Sequence, residues 1–497
     1  MKNHQSNKDT NPKYQSRRDA ITVVFLSGIA SLENGHASAV EKPVVTPPKN
    51  QPAPFPFHGI LKSDGKTYSN WGLSNNTKPA VYAEPISYED VQAIVKDTER
   101  FPTPVSPVGA MLSVSKTIVN DGGTLLCTTK LDEIIGLETD GKGRKIVRVQ
   151  SGCRLKKLNL WLQSRGFEIP FQAEIGEATV GSVAVGDTKD SSLDGVGFFS
   201  AGVTALSYVN AEGELCSISD SEDGASFYEF KCSFGLLGIV LECQIAVRPA
   251  TLCTSKYSLH QLKSPEDLSE ELIRLHKGCD AFFASVILDK LYALCDQRFK
   301  AGLGSITPAS SQPQFNALRL AKRSNIQHGA TPRPNINNLQ PLIKEITYSR
   351  ADMVNEYWRP SANENRVDFQ YYEHDLAKIK AVISQSYAFT KAFEERHSFV
   401  PNTWALYFLN RPESKKKPYG LYSSGPGVSF SFDPLFSNPT DPKWQMFAKE
   451  YNSLAIKTLG GKPSPIQTQW LKPDELVIPK KLAHPRFTTA YYSQFLG

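Results

Sequence analysis

No histidine stands between positions 59 and 259 of this 497-residue chain, although nine occur in all, at 4, 36, 58, 260, 276, 328, 374, 397 and 484. Chemistry that needs an imidazole is therefore excluded from that stretch. No Cys-x-x-C pair occurs either, and the eight cysteines, at 127, 153, 216, 232, 243, 253, 279 and 295, are scattered through the middle of the chain. Tetrahedral zinc needs closely spaced Cys and His ligands, so no metal site is expected; scattered thiols read as small buried hydrophobes. No apolar run reaches the 18 or more residues of a spanning helix. A membrane-spanning chain is not expected. The net charge of +6 comes from 56 Lys and Arg against 50 Asp and Glu, with no basic block. Nucleic acid is accordingly not an expected partner.

What is present is a globular composition, 40% apolar and 10% aromatic, in a chain long enough for two or three domains and an enclosed cleft. Residues 1–39 carry Lys2, Lys8 and Lys13, then Ser16, Arg17 and Arg18, a moderately apolar stretch over 20–32, and Ala37-Ser38-Ala39. That order is similar to a twin-arginine export signal with a small-residue cleavage site, although Asp19 and Ala20 depart from the motif. Export to a bacterial periplasm or outside the cell is the expectation. An oxidising compartment would let some thiols pair, Cys243 with Cys253 being one candidate. Residues 40–57 contain six prolines and read as a linker.

The folded body starts near His58. Strand signals fall over 81–83, 103–108, 124–126, 145–149, 202–209 and 240–247, and helix signals over 85–100 and 155–165. Ser87 followed by Glu89 and Asp90 marks a helix start, and Arg248-Pro249 punctuates the end of the region. Beyond it come a helix over 264–276, a loop-rich stretch over 301–338, and strands over 366–372, 402–409 and 428–432. The class is α+β. Domains are expected over 58–250 and 251–450, with a C-terminal segment, 451–497, returning to the first.

Glycine-bearing loops punctuate the first domain in a fixed order. Val108-Gly109-Ala110-Met111-Leu112-Ser113-Val114-Ser115 follows a strand, and Asn120-Asp121-Gly122-Gly123-Thr124 precedes the next. Ser151-Gly152-Cys153 opens a helix, and Thr179-Val180-Gly181-Ser182 and Ser233-Phe234-Gly235-Leu236-Leu237-Gly238-Ile239-Val240 come later. Glycine permits positive φ and close backbone approach, so such loops can aim N–H groups at a pyrophosphate. No strand-turn-helix G-x-G-x-x-G is present to indicate a Rossmann site.

Together with Asn70-Trp71 and Glu84-Pro85-Ile86-Ser87-Tyr88-Glu89-Asp90-Val91-Gln92, this series resembles the flavoproteins of the vanillyl-alcohol-oxidase (PCMH-type) superfamily, and within it the aldonolactone oxidase and dehydrogenase branch. The resemblance covers residues 68–250. It implies a PCMH-type FAD-binding domain of two α+β subdomains, followed by an α+β substrate (cap) domain with an antiparallel sheet. It also implies cofactor contacts from Gly109, Ala110, Met111, Leu112, Ser113 and Ser115, from Thr179, Gly181 and Ser182, and from Gly238 and Ile239. Relatives with a histidyl-flavin bond carry His where Leu112 stands, so non-covalent FAD is implied here. Ala173, eight residues before Gly181, matches a position beside the flavin where oxidases of the family carry Gly. Its methyl implies obstructed O2 and a dehydrogenase rather than an oxidase. The implied reaction is oxidation of a CH–OH group of a sugar lactone, polyol or sterol-like alcohol by hydride transfer to flavin N5, with electrons passing to O2 or a redox carrier.

Departures from the family crowd the substrate side. Thr188-Lys189-Asp190 stands where relatives have Thr-His-Gly, and Lys462 to Trp470 replaces a His-Trp-Gly-Lys segment. No acid lies between His397 and Pro412, so the family's Glu-x-Arg strand is left with Arg411 alone. Arg411 is the candidate for positioning substrate. Candidates for the base are Tyr407 and His484, with His374 and His397 behind them; Lys189 or Lys472 would supply positive charge, and Tyr371 and Tyr372 an aromatic wall. The losses keep a second reading open, a catalytically degenerate flavin-binding or flavin-fold protein.

Overall fold

The computed structural model describes residues 55–62, 65–171, 173–189, 198–305, 345–353, 367–411 and 427–497. The twin-arginine-like leader, nearly all of the proline-rich linker, Asp190 and most of the expected loop-rich stretch lie outside these residues.

The first sheet has the order Ile60–Lys62, Val81–Glu84, Thr124–Cys127, Val105–Val108, the last three strands running parallel. Parallel strands are covered on both faces, which is why Val105, Leu125 and Leu126 are all fully buried. Helix Tyr88–Lys96 starts at Ser87, whose hydroxyl accepts from the Asp90 N–H at 3.1 Å, and it buries Val91, Ile94 and Val95. The second sheet is antiparallel, in the order Leu215–Ser219, Val203–Val209, Ile239–Ala246, Lys145–Gln150, Ile134–Thr139. Val147, Val149, Cys243 and Ile245 on one of its faces pack against helices Leu155–Gln163 and Val180–Val185. Every strand and helix expected before residue 250 is present, with ends moved by a few residues.

A nine-stranded antiparallel sheet opens at Thr251. Its order is Glu345–Ser349, Thr251–Gln261, Tyr292–Leu303, Ala281–Ile287, Thr403–Arg411, Gly427–Phe436, Tyr372–Asp375, Lys462–Pro463, with Asp368–Phe369 also pairing to Gly427–Phe436. Side chains alternate across a strand. Trp404, Leu406, Phe408, Phe430 and Phe432 therefore share the face that packs against helices Pro265–Lys277, Ile379–His397 and Pro442–Ser453. Burial of a side chain such as Phe430 or Phe447 is worth about 1.5–3 kcal/mol. Ala405, Tyr407, Ser431 and Asp433 take the opposite face, with Ala405 opposite Asp433 and Tyr407 opposite Ser431 in register.

Several elements here differ from the sequence expectation. Strands Thr251–Gln261, Ala281–Ile287, Tyr292–Leu303 and Glu345–Ser349 and helices Ile379–His397, Pro442–Ser453 and Ala490–Ser493 are additional, and the expected loop from 301 is still strand as far as Leu303. The strand over 366–372 is replaced by the two short strands at 368–369 and 372–375. In Thr251–Gln261 the inward residues Cys253, Ser255 and Tyr257 alternate with Thr254, Lys256 and Ser258. A small polar residue on the buried side hides that alternation from a hydropathy reading. All eight cysteines are free. The Cys243–Cys253 pairing is thus corrected: Cys243 is enclosed in the second sheet's core, and the Cys253 thiol lies 3.4 Å from the Tyr348 hydroxyl.

The chain's last residues pack on the turn at 234–238. Leu476, Ile478, Tyr492 and Phe495 cluster with Phe234 and Leu236. Among the described residues no helix is long and apolar enough to cross a membrane.

Candidate functional site

A cleft lies between the loop after strand Val105–Val108, the start of helix Val180–Val185, the turn at 234–238 and, from later in the chain, Phe369, Ile466 and Gln467. Counting the space that opens to solvent at its mouth, it spans about 1280 Å³.

The glycine loop is shaped by contact. A Cβ on Gly109 would collide with Thr179 Oγ1 and stand 2.8 Å from Ser182 Oγ, and one on Gly181 would stand 2.6 Å from Ser151 Cβ. Met111 holds a left-handed φ of 56°, uncommon for a residue with a side chain. The loop is braced through its carbonyls. Trp71 N–H donates to Met111 O at 2.9 Å, Asn70 Nδ2 to Ser113 O at 3.0 Å, and Asn75 Nδ2 to Val114 O at 2.7 Å. The N–H groups of Ala110, Met111, Leu112 and Ser113 donate to no acceptor among the described residues. Ser151 Oγ, also in the cleft wall, is buried and has no partner among them. Backbone donors and buried hydroxyls are rarely left unpaired. An arc of free N–H groups beside an orphaned hydroxyl fits the phosphates of FAD.

Nine of the twelve residues expected to touch cofactor line this cleft: Gly109, Ala110, Met111, Leu112, Ser113, Thr179, Gly181, Ser182 and Gly238. Three do not, and they stand corrected as cleft residues. Ser115 is buried with its hydroxyl donating to Pro465 O at 2.6 Å. Ile239 begins a strand and is fully buried with Val209 and Leu241. Ala173 is packed in the second-sheet core, two residues before the cleft residue Ile175.

The expected catalytic residues are not gathered at one point. Tyr407 is buried, and its hydroxyl donates to Asp433 Oδ2 at 3.3 Å. Arg411 ends strand Thr403–Arg411 opposite Gly427, and its side chain is outside the described atoms. His484 is corrected as a base at this site: it is exposed, does not line the cleft, and its Nδ1 accepts from the Arg486 N–H at 3.1 Å. His374 is buried in apolar surroundings against Phe430, and burial pushes it down to about 4.

A charged cluster stands where the sheet meets the cleft. Lys189 follows the cleft residue Thr188, and its Nζ lies 2.8 Å from Asp433 Oδ2. The ammonium sits over the rings of Tyr371 at 3.8 Å, Tyr407 at 4.3 Å and Phe369 at 5.9 Å. Asp433 Oδ1 accepts from Ser431 Oγ at 2.6 Å and Tyr372 N–H at 3.2 Å. Glu373, fully buried, accepts from Ser429 Oγ at 2.8 Å and from the Tyr371 hydroxyl at 3.1 Å. Burial pushes Lys189 down to about 8 against the opposing pull of Asp433 and Glu373, and burial raises Asp433. Sequence reasoning missed Asp433 and Glu373. The alternation Ser429-Phe430-Ser431-Phe432-Asp433 was their available signal, a polar stripe ending in a carboxylate on an otherwise apolar strand.

Residues 79–219 match the FAD binding domain family. The D-arabinono-1,4-lactone oxidase of Eremothecium gossypii is 29% identical over 184 residues, 37% of this chain and 34% of that protein. The L-gulonolactone oxidase of Bos taurus is 24% identical over 211 residues, 42% of this chain and 46% of that protein. The chain thus spans well under half the length of these relatives. Cholesterol oxidase from B. sterolicum shares the fold with a TM-score of 0.66 at 13% identity, over 92% of this chain and all of that one. A solvent-stable cholesterol oxidase does so with a TM-score of 0.61 at 14% identity, over 84% and 88% of the two chains. Residues 79–219 thus form an FAD binding domain, and the chain shares its fold with these cholesterol oxidases.

Proposed function

We propose that the protein is an FAD-dependent oxidoreductase that oxidises a CH–OH group. The observation that carries this reading is the arc of unpaired N–H groups from Ala110 to Ser113, beside the orphaned Ser151 hydroxyl, in a cleft that runs to Phe369 of the nine-stranded sheet. The loop and Ser151 would hold the pyrophosphate, and Val108, Leu236 and Phe369 supply apolar wall. When bound, FAD supplies a two-electron acceptor that takes hydride at flavin N5. The chain's part is to exclude water, orient the carbinol carbon and take its hydroxyl proton. Sugar lactones, polyols and sterol-like alcohols are the substrate classes to test, as the relatives are named for lactones and the structural neighbours for cholesterol.

Attachment is non-covalent in this reading, supported by Leu112 at the cleft wall and by the absence of any His or Cys among the described lining residues. Dehydrogenase activity is proposed over oxidase activity, with a redox carrier as acceptor; Ala173 does not line the cleft, so its methyl would act through the position of the cleft residue Ile175, two residues on. Domains over 58–250 and 251–450, a returning C-terminal segment, and export through the twin-arginine-like leader complete the proposal. The missing acid before Arg411 favours the rival reading of a degenerate flavin-fold protein.

Purified protein is expected to be yellow, to release its flavin on acid precipitation, and to bleach anaerobically with one of these alcohols. A colourless protein that FAD cannot reconstitute overturns the reading, and flavin retained in the acid pellet overturns non-covalent attachment. Ala173→Gly is expected to speed reoxidation by O2; an unchanged rate removes the dehydrogenase preference.

A further inference from the structure

We propose that Lys189 is the group that takes the substrate hydroxyl proton, held in place by Asp433 and Tyr407, and that the site accepts a neutral carbinol rather than a 2-hydroxy acid. This rests on the CH–OH oxidation proposed above and names the base for it. Lys189 lies behind the cleft's sheet-side wall: it follows Thr188 in the chain and its Nζ is 5.9 Å from the ring of Phe369, and both of those residues line the cleft. Its side chain keeps 11% of its surface exposed while that of Asp433 keeps 3%, so Lys189 is the less enclosed member of the pair. Among the described residues only Asp433 Oδ2 takes one of its hydrogens, and the remaining directions face aromatic rings.

Asp433 is not free to serve instead. Both of its oxygens are occupied by Lys189, Tyr407, Ser431 and the Tyr372 N–H. A carboxylate with four donors around it stays in one place and fixes the amine. Tyr407, the base expected from sequence, is a positioning residue in this arrangement, because its proton is committed to Asp433. The described charged groups facing Nζ are Asp433 from one strand and Glu373 from the next, with the hydroxyls of Tyr371 and Tyr407 the other titratable groups beside it. The cluster carries one cation and two carboxylates, so an anionic 2-hydroxy acid is repelled and a neutral alcohol is not. In the reaction the carbinol O–H breaks and its proton passes to the neutral Nζ. The C–H bond breaks and its hydrogen leaves with the electron pair as hydride, which would reduce bound FAD, while C=O forms. A lysine brought down by burial to about 8 is half neutral at mildly alkaline pH, in the range where such a base is effective.

The test uses the full chain as wild type, Lys189→Arg, Lys189→Met and Asp433→Asn. Arginine keeps the ion pair and the fold but does not lose its proton, so it separates a base from a structural cation. In lysine-13Cε-labelled protein without added FAD, one resonance absent from Lys189→Arg is expected to titrate near pH 8, and to move lower in Asp433→Asn, which loses the carboxylate that favours the charged form. In FAD-loaded protein, anaerobic bleaching by a reactive neutral alcohol is expected to rise with pH through the same value. The Lys189→Arg rate should fall roughly 100-fold or more, with the alkaline rise abolished and FAD affinity unchanged. A Lys189 resonance that remains charged beyond pH 10 overturns the proposal, as does a Lys189→Arg protein that bleaches within threefold of wild type with the same pH profile. Faster bleaching by a 2-hydroxy acid than by any neutral alcohol overturns the substrate class. A wild type that binds no FAD removes the parent reading alone, and the NMR titration still decides whether Lys189 can act as a base.

Discussion

Gly109 and Ser151 separate a ligand-binding role from a folding role within one cleft. At Gly109 any side chain meets Thr179 Oγ1 and Ser182 Oγ, so Gly109→Ala must displace the loop that presents the free N–H groups. FAD binding is expected to weaken roughly tenfold or more, equivalent to about 1.4 kcal/mol, with the far-UV spectrum unchanged. Ser151 is the converse case. Its hydroxyl is buried without a partner among the described residues, so Ser151→Ala removes an unsatisfied group and should leave the apo protein as stable or slightly more so. The same change should weaken FAD binding roughly fivefold, the loss of one hydrogen bond. Urea midpoints and a fluorescence titration on the same sample check both halves, and equal losses in both would assign Ser151 to folding instead. Gly109 was legible in sequence because a glycine required by close approach is a local feature, whereas Ser151 was not among the expected contacts and its unpaired hydroxyl shows only in the fold. Their neighbour Ser115 was misassigned, since only the fold brings Pro465 within 2.6 Å of its hydroxyl.

The C-terminal segment acts on the first helix through one side chain. Arg486, buried, donates to Ile94 O at 2.7 Å, Val95 O at 3.1 Å, Phe101 O at 3.0 Å and Thr103 Oγ1 at 2.6 Å. The carbonyls at the end of helix Tyr88–Lys96 have no partner along the helix, and the guanidinium supplies donors where the helix dipole favours positive charge. Arg486→Met keeps much of the packed volume and removes every donor. It should cost about 3 kcal/mol, measured by urea unfolding, because each stranded buried acceptor costs roughly 1–3 kcal/mol. A loss under about 1 kcal/mol would mean that the segment contributes to the fold by its apolar contacts alone. Element positions before residue 250 were readable because strand and helix periodicities there are clean. In the nine-stranded sheet they were not, because Ser255 on the inward side and the Ser429, Ser431 and Asp433 stripe break the apolar alternation.

Among the buried ionisable groups of the described residues, Lys189 and Asp368 have opposite effects on stability as pH changes. Lys189 is pushed down to about 8 from 10.5 by burial, so between those values the unfolded chain holds more protons and stability rises with pH. Asp368 is pushed up to about 7 from 3.8 by burial, against hydrogen bonds from Trp444 Nε1 and Gln469 Nε2, both at 2.7 Å. Between about pH 4 and 7 the native state therefore holds the extra proton, and the contribution of Asp368 to stability falls as pH rises. The rise from about pH 8 to 10.5 should be smaller in Lys189→Met than in wild type when urea midpoints are compared across the series, with the remainder coming from Lys231, which burial also pushes down to about 8. Parallel curves in that window would contradict the buried placement of Lys189.

The sequence by itself determined the likeness of residues 79–219 to FAD binding domains, the α+β order of the elements before residue 250, the glycine loop and the absence of histidine from 59 to 259. Each is written in residues adjacent along the chain, whose conformational demands are local. Only the tertiary structure decided which polar groups share a site. Lys189 and Asp433 are 244 positions apart, and no local propensity reports a pair of that separation. Their meeting depends on how the nine-stranded sheet turns the face carrying Tyr407 and Asp433 toward the cleft while Trp404, Phe430 and Phe432 are drawn against the helices. Burial of those aromatic side chains orients the sheet, and the orientation brings the lysine to its carboxylate.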